Sequence, residues 1–385
     1  MELDLNAIRE QLDGIDTQLT ELFVKRMGLS AEVAKYKAAH NMPILVPSRE
    51  RAILQRVGDM AGTLGGDEMD EYTRLLYSTI FDLSRAYQAK LLARDTPLVE
   101  RIRQARDNTP KLFPTKGIVA CQGVEGAYSQ LACDKLLPHA NILYFRNFDG
   151  VFNAVEKGLC QFGVLPIENS SHGSVSAVYD LMRRHNFHIV RGVKLAINHA
   201  LLGNPGTKLS DVREIISHEQ GLGQCSNFIK SLGDIKVTVC ENTAVAAKLV
   251  SESGRRDIVA ISSHNCAELY GLDIVSEHIQ NSENNFTRFI CIAKDLAIYP
   301  GANRISIMFS LPHQPGSLYR MIARFFAMGL NIVKLESRPI AGRDFEFMFY
   351  FDLEASAYSE DVVQLLGEME SGCEQFTFLG CFPEA

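Results

Sequence analysis

FGVLPIENSS, residues 162–171, is an apolar run too short for an ordinary helix, and it ends in the polar cluster Glu168-Asn169-Ser170-Ser171. It reads as a buried strand entering a turn. Runs of the same kind recur at GIVAC (117–121), HIVRGV (188–193), EIISH (214–218), KVTVC (236–240), DIVAI (257–261) and RFICIA (288–293). Most are followed by a polar turn and a helical pattern, which predicts an α/β domain with largely parallel strands. In open parallel sheets, ligands bind beyond the carboxyl ends of the strands, where helix N-termini offer backbone N–H groups to anions. Polar clusters sit at four such places: Ser129 after CQGVEGAYS, 168–171, Ser217 to Gln224, and Glu241-Asn242-Thr243. Each can equally be a helix cap, but four together suggest a cleft.

Outward to the N-terminus the pattern changes. Leu5, Leu12, Leu19 and Val33 form one heptad line and Ile8, Ile15, Leu22, Leu29 and Tyr36 another, so residues 5–37 read as one helix with Asp4 or Asn6 as its cap. Such a helix is roughly 50 Å long and needs partners along its seam, which implies dimerisation. A second helix is expected from Ser48 and a third from Asp67 to Leu92, making residues 1–93 all-helical. Residues 94–114, with Pro97, Pro110 and Pro114, read as a partly helical linker. Outward to the C-terminus, RISIMFSL, a helix over 317–328, NIVKLESRPI, FEFMFYFDL, a helix over 360–369 and FTFLGCF give β-α-β-β-α-β over residues 301–385, the ferredoxin-like order.

The chain has 385 residues, or about 2.6 domains at a typical domain size. A net charge of −7 argues against nucleic acid or an anionic membrane as the main partner, while small anions remain possible substrates. No stretch is apolar enough to span a membrane, and a cytoplasmic protein is expected. Nine cysteines without CxxC or CxxH spacing imply reduced thiols and no metal site. GVEGAYS falls short of GxGxxG, so no dinucleotide cofactor is indicated. His218 and His264 read as capping or hydrogen-bonding residues rather than metal ligands.

Arg26 stands on the heptad line of Leu5, Leu12, Leu19 and Val33, where a guanidinium requires an anion: a register-fixing salt bridge or a ligand carboxylate. Lys37, three turns on, can point into the same cavity, and Arg9 can reach it only from an antiparallel partner chain. Arg49 and Glu50 open the second helix, and Ser84 and Gln88 form an i,i+4 pair on the third. Together these residues resemble the intertwined, all-helical chorismate mutase family across residues 1–93. Many relatives have Asp three residues before the Arg-Glu pair where this chain has Val46, which leaves Glu50 to meet the substrate hydroxyl. The resemblance implies a Claisen rearrangement without cofactor, with Arg9 and Arg26 on the carboxylates and Lys37 and Gln88 on the ether oxygen.

VLPIENS, ISH with GQC, the ENT before a helix and above all NFTRF (285–289) resemble prephenate dehydratase over residues 115–297, a bilobed, periplasmic-binding-protein-like domain. The resemblance implies that Thr287 gives or relays a proton to the leaving hydroxyl. It further implies that Arg288 holds the side-chain carboxylate, and that Asn169, Ser217, Gln224 and Glu241 position the rest. Pro315-Gly316-Ser317-Leu318 and Glu336-Ser337-Arg338-Pro339 resemble the phenylalanine-binding ACT module, with Ser317 in place of the usual Ala. That implies feedback inhibition by L-phenylalanine bound between subunits of a homodimer or larger homo-oligomer. All three segments in this order resemble bifunctional chorismate mutase-prephenate dehydratases. The alternatives are a dehydratase with a vestigial mutase domain and a non-catalytic amino-acid sensor.

Overall fold

In the computed structural model, residues 4–40, 42–92, 95–340, 342–343 and 346–384 are described. The chain divides into two compact units. One comprises Met1–Glu100, Leu311–Asn331 and Glu360–Gln375, and the other Arg101–Ser310, Ile332–Ser359 and Phe376–Ala385. The helices of the 301–385 segment therefore group with the N-terminal helices, while its strands group with the α/β region.

The first unit is helical. Its elements are α1 (Leu5–Ala39), α2 (Pro47–Gly65) and α3 (Asp67–Leu91), followed by α4 (Pro97–Asn108), which starts there, and by the later helices Ser317–Ala327 and Glu360–Gly372. Asp4 caps α1, its carboxylate accepting from the Asn6 N–H at 3.0 Å, and Pro47 stands in the first turn of α2, where no N–H partner is needed. The expected end of this segment at Ala93 and Arg94 lies outside the described residues. The long seam of α1 is bare: Leu5, Leu12, Ile15, Leu19, Leu22 and Leu29 are all exposed, Leu22 by 63%. Lys90 pairs with Asp361 at 2.8 Å, and Arg324 pairs with Glu368.

The second unit contains three sheets. The strands of its α/β part are β1 (Lys116–Gln122), β2 (His139–Phe145), β3 (Phe162–Asn169), β4 (Gly173–Ser174), β5 (His188–Ala196), β6 (His199–Gly203), β7 (Glu214–Ser217), β8 (Lys236–Val239), β9 (Ile258–Ser263), β10 (Asp273–Ser276) and β11 (Phe286–Ala293). One lobe holds the order β2-β1-β3-β11-β5 and the other β10-β6-β9-β7-β8. The expectation of largely parallel strands is corrected here. The β1, β2 and β3 pairings are parallel, as are those of β7 with β8 and β9, but β11 runs antiparallel to β3 and β5, and β6 antiparallel to β9 and β10. The chain passes to the second lobe after β5 and returns as β11, and a returning strand enters its sheet against the run of its neighbours. The third sheet, β12 (Arg304–Ser310), β13 (Asn331–Pro339), β14 (Phe347–Glu354) and β15 (Phe376–Phe382), has the order β13-β14-β12-β15. With one helix after β12 and one after β14, the β-α-β-β-α-β order is present; Phe345, expected to open its third strand, lies outside the described residues.

Candidate active sites

A cavity of about 260 Å³ lies among α1, α2 and α3. Six residues singled out in the sequence line it: Arg26, Lys37, Arg49, Glu50, Ser84 and Gln88. Arg9 does not line it and is exposed on α1. The Arg26 guanidinium lies 5.4 Å from the centroid of the Phe81 ring, and its buried Nη1 has no hydrogen-bond partner among the described residues. A half-buried guanidinium with a buried open donor can form half of an ion pair, and a carboxylate would complete it. Ser30 donates to the Arg26 carbonyl at 3.1 Å, Ser84 donates to Ser30 at 2.8 Å, and Gln88 Nε2 donates to Ser84 at 3.3 Å. These bonds fix the third-helix face while leaving the Gln88 side-chain carbonyl unpaired. Lys37 donates to the Ile44 carbonyl at 2.5 Å; burial holds its ammonium below the ordinary lysine range, with Glu50 opposing the shift.

Sequence reasoning missed Arg85. It lines the same cavity and pairs with both Glu50 and Asp82. Burial nevertheless pushes the Asp82 carboxyl up, against the pull of Arg85. The Asp82 and Arg85 i,i+3 spacing beside Ser84 was the available signal.

The second cavity, about 530 Å³, opens between the two α/β lobes. Asn169, Gln224, Glu241 and Thr287 line it, as does Ser129. β3 and β11 set Asn169 opposite Thr287 in register. The Asn169 side-chain oxygen accepts from the Ser171 and His172 N–H groups at 2.9 and 3.0 Å, which turns its amide nitrogen toward Thr287 Oγ1, 2.9 Å away. Because Asn169 donates to that oxygen, the threonine keeps its own proton for another acceptor. Across the cleft, His199 Nε2 meets the Gln224 oxygen at 2.7 Å, and Gln224 Nε2 lies 3.3 Å from His172 Nδ1. Burial lowers the His199 pKa, with the Gln224 bond opposing, so this ring is a neutral donor. Tyr128 lies beside it, its hydroxyl donating to the Asn198 carbonyl at 2.6 Å.

His172, His199 and Tyr128 escaped the sequence reading. Each adjoins a residue that was noticed or opens an apolar strand, but their partners are distant in the chain.

Two expected substrate contacts are corrected. Ser217 is fully buried and donates to the Ile261 carbonyl at 2.7 Å, because it continues the inward face of β7 rather than reaching the cleft. Arg288 is turned away from the cleft by strand alternation and does not line it; on the far side its Nε and Nη1 pair with Glu384 and Asp352, while its buried Nη2 has no partner among the described residues.

Of the remaining expected residues, Gly316 opens a helix with φ of 80°, and Ser317 accepts from Arg320 at 3.1 Å. Leu318 is half-buried and Ser337 is exposed. Glu336 accepts from Ser174 at 2.6 Å, and Arg338 holds Asp180 through two bonds of 2.9 and 2.8 Å. Neither side chain is idle. The capping role expected of His218 is present, since it accepts from the Gln220 N–H at 3.3 Å.

Two family models match the chain, Chorismate mutase type II over residues 8–89 and Prephenate dehydratase over residues 119–297. A bifunctional chorismate mutase/prephenate dehydratase of Enterobacter agglomerans is 31% identical over 98% of this chain and 96% of its own. An arogenate dehydratase/prephenate dehydratase of Arabidopsis thaliana is 38% identical over 78% of this chain and 81% of its own. The crystal structure of the Arthrobacter aurescens prephenate dehydratase in complex with L-Phe matches with a TM-score of 0.64 and 25% identity, over 69% of this chain and 89% of that one. Fold, cavities and matches define a two-site enzyme whose helical and α/β segments carry separate reactions. The chain belongs to the bifunctional chorismate mutase/prephenate dehydratase family. It converts chorismate to prephenate, and prephenate to phenylpyruvate with loss of CO2 and water.

Proposed function

We propose a division of labour between the two cavities in which each is matched to one transition state. In the helical cavity Arg26 binds one carboxylate of chorismate and Arg49 helps neutralise the dianion. Lys37 and the free amide proton of Gln88 stabilise the ether oxygen as its bond to carbon breaks. The substrate is held as the compact conformer, so the rearrangement needs no nucleophile. Glu50, held by Arg85, meets the substrate hydroxyl where Val46 offers nothing. The unpaired Nη1 of Arg26 carries this reading. A second copy of the chain covers the exposed α1 seam and brings its Arg9 to the second carboxylate, which makes the enzyme at least a homodimer.

In the α/β cleft Thr287 relays a proton to the departing hydroxyl of prephenate as CO2 leaves, giving up its own while taking one from solvent so that no alkoxide is left, and Asn169 holds its oxygen in place. Glu241, Gln224 and His199 orient the ring. The prephenate carboxylates rest on backbone N–H groups at the start of the helices Tyr128–Leu136 and Ser176–Met182, neither of which has a side-chain cap.

L-phenylalanine binds the C-terminal segment and inhibits the dehydratase; Gly316, Ser317, Leu318, Glu336, Ser337 and Arg338 are the residues that the family resemblance offers for it. Glu336 and Arg338 grip Ser174 and Asp180, and Ser174 forms part of the cleft wall, so a ligand drawing on this strand alters the wall. The nine free cysteines fit a reducing compartment, and we place the enzyme in the cytoplasm.

The test follows phenylpyruvate absorbance when the purified chain is given chorismate and, separately, prephenate. Thr287→Ala is expected to lower phenylpyruvate formation by about a thousandfold, to a small residual rate, while prephenate still accumulates from chorismate. Phenylpyruvate formed at the wild-type rate would refute the role of Thr287, and the absence of prephenate formation in the unaltered chain would leave a vestigial mutase domain.

A further inference from the structure

Along β11, Thr287 and Phe289 face the cleft and Arg288 faces the opposite side. There the guanidinium is clamped between two carboxylates, Asp352 of β14 and Glu384 just beyond β15, and the three side chains are 6, 8 and 7% exposed. Ser306 of β12 also donates to Asp352, while Arg304 reaches Glu384 at 3.1 Å and Lys194 of β5 reaches it at 3.6 Å. One buried polar cluster therefore joins the strand bearing Thr287 to the strand beside it and to the C-terminal sheet.

The backbone is joined at the same place. The Gly192 N–H donates to the Pro383 carbonyl at 3.0 Å. β15 lies so close on β5 that a Cβ at Gly380 would stand 2.1 Å from the Ile189 oxygen. Ile189 and Ile290 share an apolar core with Met308, Tyr350 and Phe382. A planar guanidinium shared by two carboxylates from different elements fixes orientation as well as distance, which a lysine in its place would not do.

We propose that Arg288 is a positioning residue of the dehydratase: through Asp352 and Glu384 it sets where β11 presents Thr287, and the C-terminal sheet is thereby part of the active-site frame. The inference rests on Thr287 being the proton donor. Arg288 and Thr287 share a peptide unit on a strand, so a displaced guanidinium shifts the threonine hydroxyl. A misplacement of about 1 Å is enough to cost about a hundredfold in rate.

The test uses the full chain with Glu384→Gln and Asp352→Asn, neither of which faces the cleft. Each variant is expected to lower the dehydratase kcat by tenfold or more with KM within twofold, while the mutase rate in the same sample stays unchanged. In a Thr287→Ala background, adding Glu384→Gln is expected to lower the residual rate by less than twofold, because both changes act on one group. Calorimetry should show the double variant binding prephenate with the stoichiometry and affinity of Thr287→Ala alone.

A merely structural contribution would multiply with Thr287→Ala or abolish that binding, and either result overturns the proposal. So does an unchanged kcat, or a tenfold rise in KM at constant kcat, which would return Arg288 to substrate binding. Failure of the underlying reading shows separately, as a Thr287→Ala enzyme with an undiminished dehydratase rate.

Discussion

Among the described residues the helical cavity is lined by four cations, Arg26, Lys37, Arg49 and Arg85, against one carboxylate, Glu50, whereas neither lysine nor arginine lines the α/β cleft. Both cavities serve dianions, so substrate charge alone does not explain the difference. The reactions do. In the rearrangement both carboxylates survive and the charge that develops is on the ether oxygen, so fixed cations help in the ground state and more in the transition state. In the second reaction a carboxylate is consumed as CO2. A cation on it would stabilise the ground state and raise the barrier. The proposed binding by uncapped helix ends and neutral hydrogen bonders would hold the anion without stabilising the ground state as strongly as a cation would.

The largest break in this contrast is Arg26→Ala. It is expected to lower the mutase kcat/KM by about a thousandfold, equivalent to about 4 kcal/mol of transition-state stabilisation, and to leave the dehydratase rate within twofold. Steady-state assays of the two reactions on one preparation check it. The opposite change is smaller and sharper in meaning. Gln122→Lys puts a cation into the cleft wall. Prephenate is then expected to bind more tightly, with KM lowered severalfold, while kcat falls about tenfold. A rise in both kcat and affinity would show that the neutral cleft is not an adaptation to decarboxylation.

The two sites were not equally legible in the sequence. A heptad assigns every residue a direction, so Arg26 on an apolar line announced a buried cation, and Lys37, Ser84 and Gln88 followed from helical spacing. Strand alternation also gives two faces, but it does not say which one meets the ligand when both carry polar residues. Arg288 was misassigned for that reason, since its partners stand 64 and 96 residues further along. Ser217 was read as a cleft residue because a serine at a strand end looks the same whether it faces ligand or core. His199 meets Gln224, 25 residues away, a contact within the second lobe that no local periodicity records. The antiparallel entry of β11 was hidden likewise, because strand direction is not written in local hydrophobicity.

The smallest effect concerns Lys37 and separates activity from stability. Burial lowers its pKa from the ordinary lysine value of 10.5, Glu50 opposing, so its ammonium loses its proton earlier on the alkaline side than an exposed lysine would. If Lys37 acts on the ether oxygen as proposed, mutase activity should show an alkaline limb beginning below pH 10.5, and dehydratase activity, for which no lysine is proposed, should lack it. Between the lowered folded value and the unfolded one, the unfolded chain binds more protons than the folded chain, so this residue makes stability rise with pH. Loss of mutase activity would thus run against the residue's own contribution to folding. Lys37→Arg, always charged, is expected to abolish the limb while lowering the plateau severalfold, since a guanidinium is bulkier than the ammonium it replaces. A pH–rate profile with the same alkaline limb in both enzymes would assign the limb to another group.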